Sequence, residues 1–536
     1  MTETTARPAQ RTDPLNAAPS QRMRVWTLCL ACLGLTLVIS SMVALNTALG
    51  DIALSTSASQ TELTWVVDSY TLALACLVLP AGAIGDRYGR RGALAAGLLI
   101  FAAASYAPAI WADPLHLIVA RGVAGVGAAF IMPATLSLIT SAYPPGQRAK
   151  SVGIWAGVAG SGAVVGMLGS GGLLHFWSWQ SIFWAFGIVA TVLIPLSLTV
   201  ATSKDPQSRP LDRAGTLLIG ASVAVFVFGI LAVPSHGWGD PVVYGCLLAG
   251  VALAAAFGVV ELRQRHPLLD VRLFGDATFA TGAVAITMLF LALFGFFFLL
   301  MQHIQLVMGY SAIATAFAIS PLVVPMLAFS VLSAWYLPKL GLRLVVFLGL
   351  LCTAAGLLCL RQVGVDSPYW DLAWPLLILS TGIGLCTAPT TSAIMVSVSD
   401  DKQGVASAVN DATREIGAAL GIALAGSILA HQYSTLLSPK VSALPAAARE
   451  VAGRSLAESL ELATRLGGPQ GVWLAEVSRA AFVAAMHSSL LVLAAVLATA
   501  AVAVGLWAPG RDGTQLAVIR RIRRRGARRR AGRHHR

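Results

Sequence analysis

Only 11% of the 536 residues are charged and 57% are hydrophobic, whereas a soluble domain usually carries about 25% charged residues, so composition excludes a soluble globular protein and describes a polytopic membrane protein. The net charge of +13 does not indicate nucleic-acid binding, because eleven arginines lie after residue 508 and the other basic residues mostly fall in short loops, which is the pattern of membrane orientation. The cysteines (Cys29, Cys32, Cys76, Cys246, Cys352, Cys359 and Cys386) all fall inside apolar runs and imply packing, with no disulfide framework or metal site.

Residues 1–24 are polar and carry Arg7, Arg11, Arg22 and Arg24, so a cytoplasmic N-terminal segment is expected. The apolar run that follows is too long for a signal-peptide core and predicts a retained first helix. Runs near 25–49, 63–84, 93–112, 115–139, 151–175, 181–201, 214–233, 241–260, 277–303, 312–336, 343–362, 372–397, 404–431 and 480–508 predict fourteen membrane helices, each long enough to cross a hydrocarbon core of roughly 30 Å. Between the second and third runs, Gly82 to Arg91 packs Asp86, Arg87, Arg90 and Arg91 around Gly89; the stretch is expected to be a tight aqueous turn on the cytoplasmic side.

Lys and Arg placement checks the count independently. Connections after even-numbered runs hold Arg87, Arg90 and Arg91, then Arg148 and Lys150, then Lys204, Arg209 and Arg213, then Arg263, Arg265 and Arg272, then Lys339 and Arg343, then Lys402. Short connections after odd-numbered runs hold almost none, Arg361 being the exception, so both termini are expected in the cytoplasm. The 432–479 segment is expected to be a long extracellular loop, either amphipathic around 445–465 on the outer surface or a mobile connection. The 511–536 tail reads as a polybasic segment along anionic headgroups, each arginine contributing about 1 kcal/mol.

Polar residues inside the apolar runs are the candidates for function. Arg121 lies in the fourth run, where a charge costs at least about 2.5 kcal/mol at midplane and either faces a cavity or partner or snorkels to an interface. The fifth run carries Gly157, Gly162, Gly166, Gly171 and Gly172, among others, a face on which a neighbouring helix can pack and slide. Asp68 in the second run, and Asp411 and Glu415 one turn apart in the thirteenth, are carboxyl groups in low dielectric, suited to binding and releasing protons. Two alternatives stay open: a capping or ion-pair role for Asp68, and a structural ion pair of Asp411 and Glu415 with Arg414, beside Asn410. Trp65, Trp155, Trp177, Trp179 and Trp184 are expected mostly as interfacial anchors, with one or two of them as candidates to line an apolar cavity.

Several of these stretches resemble the major facilitator superfamily, and within it the fourteen-helix drug:proton antiporter group. G-x-x-x-D-R-x-G-R-R at Gly82 to Arg91 is similar to the superfamily loop signature, and A-R-G-V-A-G-V-G at Arg121 is similar to its fourth-helix motif with Ala124 in place of Gln. S-S-M-V-A-L-N-T-A-L-G-D-I resembles the group's first-helix motif, Asn46 aligning with its Asn while Ser41 stands in place of Asp and Gly50 in place of Pro. Pro267 to Phe274, Gln305 to Ser311, and Gly404 to Gly417 resemble three further stretches of that group.

The resemblance implies an all-α fold of two six-helix bundles, 25–201 and 277–508, with 202–276 as linker and inserted helix pair and 509–536 as cytoplasmic tail. It implies a bacterial plasma-membrane transporter exporting amphipathic or cationic drugs in exchange for protons by alternating access. Arg121 and Asp68 would serve proton coupling, Asp68 replacing the missing first-helix carboxylate. No enzyme activity, cofactor or nucleic-acid partner is expected; the proton gradient supplies the energy, and the partners are substrate, protons and lipid. The alternatives are a dedicated carrier of one lipid, siderophore or amino acid on the same fold, or a sensor with a transporter-like body. An ATP-driven pump is disfavoured, because no Gly-Lys pair exists to build a phosphate loop.

Overall fold

The computed structural model describes residues 20–56, 58, 60–111, 113–201, 212–264, 267–512 and 514–515. Expectations for residues 1–19, for Lys204, Arg209 and Arg265, and for the tail after 515 lie outside the described residues. Among the described residues the regular structure is entirely helical.

The helices are α1 (Gln21–Ala44), α2 (Leu49–Thr56), α3 (Gln60–Tyr88), α4 (Arg90–Ile110), α5 (Pro114–Ala142), α6 (Pro145–Phe176), α7 (Gln180–Leu198), α8 (Arg213–Leu231), the single turn α9 (Val233–His236) and α10 (Pro241–Arg263). They continue as α11 (Ala277–Gln302), α12 (Ala312–Ile319), α13 (Val323–Cys359), α14 (Tyr369–Val396), α15 (Gln403–Leu437), α16 (Ala446–Arg454), α17 (Leu456–Leu466) and α18 (Gly468–Trp507). Several start on an aspartate cap. Asp113 accepts from the His116 amide at 3.1 Å, and Asp276 from Thr278 and Phe279 at 2.9 and 3.0 Å, satisfying amides that have no partner within their own helix.

Among the described residues, thirteen helical segments are long and apolar enough to span a membrane. One of them, Ile313–Gln362, has 50 residues and at 1.5 Å per residue would reach about 75 Å, more than twice the hydrocarbon core. It breaks at Gly341, where φ is 78° and ψ is 158°, so it holds two crossings and the total is the expected fourteen.

Two apolar cores carry the fold. One is built mainly from α1, α3, α4, α5 and α6, the other from α11, α13, α14, α15 and α18. The intervening α8 and α10 pack on each other, and α8 also packs on α3 and α15, with Val223 and Val227 against Ala75, Ala419 and Ala423. Leu248, Val251 and Val259 on α10 are exposed, as a lipid-facing helix requires.

Three expectations are corrected. The first apolar run is not one helix to residue 49: α1 ends at Ala44, and a 3-10 turn, Leu45–Thr47, leads into α2. The tight turn expected over Gly82 to Arg91 is confined to one residue: α3 continues to Tyr88 and α4 starts at Arg90, leaving Gly89 alone outside the helices with φ at 114°. Buried partners, described below, make this possible. Between the last two spans, the helical character expected around 445–465 is present as α16 and α17, but the connection is shorter than 432–479, because α15 runs to Leu437 and α18 starts at Gly468.

Candidate functional site

Glycine on α6 lets the two bodies meet closely. A Cβ on Gly157 would lie 2.6 Å from Leu327 Cδ1 and 3.3 Å from Leu327 Cα on α13, so this face must stay bare. The next stretch of α6 turns to α1: a Cβ on Gly162 would lie 3.0 Å from Ile39 Cβ, and one on Gly166 would lie 2.6 Å from Ser40 Cα. Gly171 is in ordinary contact with Ile313 at 3.4 Å, whereas Gly172 has nothing within 4 Å, so the glycine face expected of α6 does not include Gly172.

On α15 the titratable residues are buried between the bodies. Asn410 and Asp411 are 0% exposed. The Asn410 amide donates to Asp411 Oδ1 at 3.1 Å, the Thr391 hydroxyl donates to Asn410 Oδ1 at 3.0 Å, and Arg414 Nη2 donates to Thr391 Oγ1 at 2.9 Å. The Arg414 guanidinium carbon stands 5.0 Å from the ring centroids of both Trp155, on α6, and Phe290, on α11. Among the described residues no ion pair joins Arg414 to Asp411 or Glu415; its charge is met by Thr391 and two aromatic faces. Asp411 Oδ2, Glu415 Oε2 and Arg414 Nε are buried without hydrogen-bond partners among the described residues.

A further buried charge is Arg121 of α5. At 2% exposure it does not snorkel to an interface. Its Nη1 donates to Ser41 Oγ at 2.9 Å, Nη2 to the Ser41 carbonyl at 3.2 Å and Nε to the Val66 carbonyl at 3.2 Å. The guanidinium lies 4.1 Å over the ring of Tyr70, whose hydroxyl donates to the Val38 carbonyl at 3.0 Å. Tyr70 thus ties Arg121 to α1 and α3, within the first body. Asp68, two residues before Tyr70 on α3, is half-buried and makes no hydrogen bond or ion pair with other described residues. Asn46 falls in the 3-10 turn after α1, and its side chain lies outside the described residues.

A second polar group closes one end of the interface. Asp86 Oδ1 accepts from Arg90 Nε and from the Gly404 amide, both at 2.9 Å, and Oδ2 accepts from the Val405 amide at 3.0 Å. Arg90 Nη2 also donates to the Asp400 carbonyl at 3.0 Å, and Arg148 pairs with the Asp400 carboxylate at 2.9 Å. Gly82 packs here too, where a Cβ would meet the Gly404 carbonyl at 2.6 Å. Thus Asp86 holds the first turn of α15, whose free amides and positive dipole end suit a carboxylate, and this is why Asp86 and Arg90 are buried. Arg91 Nη1 donates to the Leu198 and Val200 carbonyls, both at 3.3 Å, and Arg87 stacks on Tyr88 at 5.2 Å.

The family model of the Major Facilitator Superfamily matches residues 27–422. The chain belongs to the major facilitator superfamily. Among relatives of this superfamily chain, the multidrug resistance protein Stp of Mycobacterium tuberculosis is 30% identical over 91% of this chain and 93% of its own length. The puromycin resistance protein pur8 of Streptomyces alboniger is 32% identical over 76% and 82%, and the methyl viologen resistance protein SmvA of Salmonella typhimurium is 31% identical over 86% and 93%. Two solved structures share the fold. The proton:xylose symporter XylE has a TM-score of 0.58 at 15% identity, covering 93% of this chain and 98% of its own. The human organic anion transporter MFSD10 has a TM-score of 0.58 at 13% identity, covering 88% and 99%.

In this major facilitator chain, Asp411, Glu415, Arg414 and Asn410 share one buried interface, whereas Arg121 is buried apart from them among α1, α3 and α5, Asp68 lies on α3 without joining either group, and Asp86 and Arg90 form a separate group. Sequence reading missed Tyr70, Thr391 and Phe290, which come from other helices. It also placed two tryptophans wrongly: Trp155 is fully buried, donating to Thr135 Oγ1 at 3.1 Å, and Trp179 is 3% exposed, donating to Ser55 Oγ at 2.8 Å. Trp177 and Trp184 are exposed, at 63% and 46%.

Proposed function

We propose that the chain is a proton-coupled secondary transporter that exports amphipathic or cationic organic compounds across the bacterial plasma membrane by alternating access, with both termini cytoplasmic. The observation that carries this reading is the pair Asp411 and Glu415, each with an oxygen unpartnered among the described residues in the buried interface between the two bodies. An ionised carboxylate there is expensive unless a proton or a cation neutralises it, so proton and cationic substrate compete for the same groups. Arg414, on the same helix, is the fixed positive charge nearest this pair, Arg121 is a second buried charge held within the first body, and Asp68 on α3 offers a further proton stop. The drug-resistance names of the relatives support export of such compounds.

Released protons and bound substrate would favour opposite faces, with the Asp86 group as the cytoplasmic closure. Chain and membrane suffice for this cycle, with the proton gradient as the energy source and no cofactor. The 516–536 tail would rest on anionic lipid headgroups. The test is purified chain in liposomes with an imposed pH gradient and a panel of lipophilic cations such as methyl viologen and ethidium. Uphill movement that stops when the gradient is collapsed is the expected result; equal movement without a gradient would overturn the reading.

A further inference from the structure

We propose that the chain carries a second ligand site, remote from the buried carboxylates, that takes a single-chain amphiphile with an anionic oxygen head. A pocket of about 370 Å³ opens between the α8–α10 connection, α11, α15, α18 and the junction of α16 with α17. That size lies in the range of pockets holding small ligands, about 300–1,000 Å³. From Asp411 to Gly426, on its wall, α15 rises about 22 Å, so the pocket is not part of the interface already described.

The walls are apolar and aromatic: Trp238, Phe298, Tyr433 and Phe482. Two features keep the space open. Gly426 has no side chain, and a Cβ there would already touch the Phe298 ring at 3.4 Å. Trp238 is drawn onto α15 by its Nε1, which donates to Ser427 Oγ at 2.9 Å. The roof is also fixed, because the Tyr433 hydroxyl donates to the Ala452 carbonyl at 3.2 Å and stands 3.4 Å from that of Ser455, and Ser459 and Ser478 are bonded at 2.6 Å. A fixed roof over an apolar chamber is a site for an apolar chain.

The rim sets the head group. Arg454 lines the pocket; its Nη2 holds Glu450 at 2.8 Å, but its Nη1 stands 3.8 Å from Glu458, beyond hydrogen-bond distance. Helix α17 starts at the same point, where Ser455 Oγ accepts from the Glu458 amide at 3.2 Å; Glu458, in the first turn, meets both its positive dipole end and the guanidinium, so displacing Glu458 frees both for another anionic group. An anionic oxygen can therefore take Nη1, returning Glu458, already 43% exposed in its side chain, to water at small cost. Fatty carboxylates and single-chain phospholipids share this chemistry.

The full chain in phosphatidylcholine nanodiscs would be titrated with 11-(dansylamino)undecanoic acid, reading saturable fluorescence above that of empty nanodiscs. Ala430→Phe, which fills the pocket from an exposed position, and Arg454→Gln are each expected to weaken binding at least tenfold, with Arg454→Lys intermediate and the unfolding midpoint of Ala430→Phe unchanged. Displacement by dodecanoate alone identifies a free acid, and displacement by lysophosphatidylglycerol alone identifies a lipid; either supports the site. Unaltered affinity in both variants, or equal displacement by dodecanol, overturns it.

Discussion

Asp411 and Glu415 sit on consecutive turns of α15, and what separates a proton carrier from a packing residue is whether a neutral isostere can replace it. Asp411→Asn keeps the hydrogen bond from Asn410 and removes the charge, and Glu415→Gln removes the charge one turn on. For a proton carrier, uphill transport driven by a pH gradient should fall at least tenfold while exchange of labelled for unlabelled substrate at equal pH survives. Equal loss of both would instead mark a structural role. The aromatic support of Arg414 admits a similar test. Trp155→Phe keeps a ring face for the guanidinium and loses the bond to Thr135, whereas Trp155→Leu removes the ring from a buried, charged neighbour. A cation–π contact away from water contributes about 2 kcal/mol, so the Leu variant should be the less stable of the two by roughly that amount in thermal unfolding. The spacing of Asp411, Arg414 and Glu415 was legible in sequence because one turn of helix brings them together. Thr391 and Tyr70 were not, because a hydroxyl on another helix leaves no periodic trace, and Trp155 looked like an anchor because its position along the chain says nothing of which side it faces.

At the scale of the helix, α6 shows why glycine content alone misleads. Nine glycines invite a single reading as a sliding face, yet the faces differ: Gly157 meets α13, Gly166 meets α1, and Gly172 meets nothing. The consequences are opposite in sign. Gly166→Ala forces a methyl against the Ser40 backbone, its Cα 2.6 Å and its carbonyl 2.8 Å away, which a close-packed interior resists at about 1–3 kcal/mol. Gly172→Ala meets no atom and gains helix propensity, up to about 1 kcal/mol. Thermal unfolding of the two variants should therefore move in opposite directions, and a lowered midpoint for Gly172→Ala would contradict the packing. The same logic explains α13. Long apolar runs are read easily, but a run that turns back at Gly341 reads as a break only because Pro338, Lys339 and Arg343 interrupt it; there Arg343 donates to the Ala508 carbonyl at 2.8 Å and the Thr514 carbonyl at 2.9 Å, contacts with a segment far along the chain that local pattern does not reveal.

For the molecule as a whole, fourteen crossings follow from apolar length and basic placement, but the way the two bodies lock together does not, because it depends on a carboxylate finding the start of a helix more than 300 residues later. Two polar contacts close the end that bears Gly89, and magnitude separates them. The Arg148–Asp400 pair has side chains 24% and 72% exposed, and such pairs contribute about 0–1 kcal/mol. Asp86 is buried, satisfies two amides of α15 and holds Arg90; removing one partner of a buried pair costs about 3–5 kcal/mol. Asp86→Ala should therefore release the closed end while Arg148→Ala leaves it shut. Hydrogen exchange reads this directly, since the Gly404 and Val405 amides bond to Asp86 rather than within α15: in nanodiscs their exchange should quicken at least a hundredfold in Asp86→Ala, and by less than about fivefold, the equivalent of 1 kcal/mol, in Arg148→Ala. If both amides stayed protected in Asp86→Ala, the closure would have to lie instead in the packing of Gly82 on Gly404 and of α6 on α13, and the charged stretch would be a passenger on a lock made of close backbone contact.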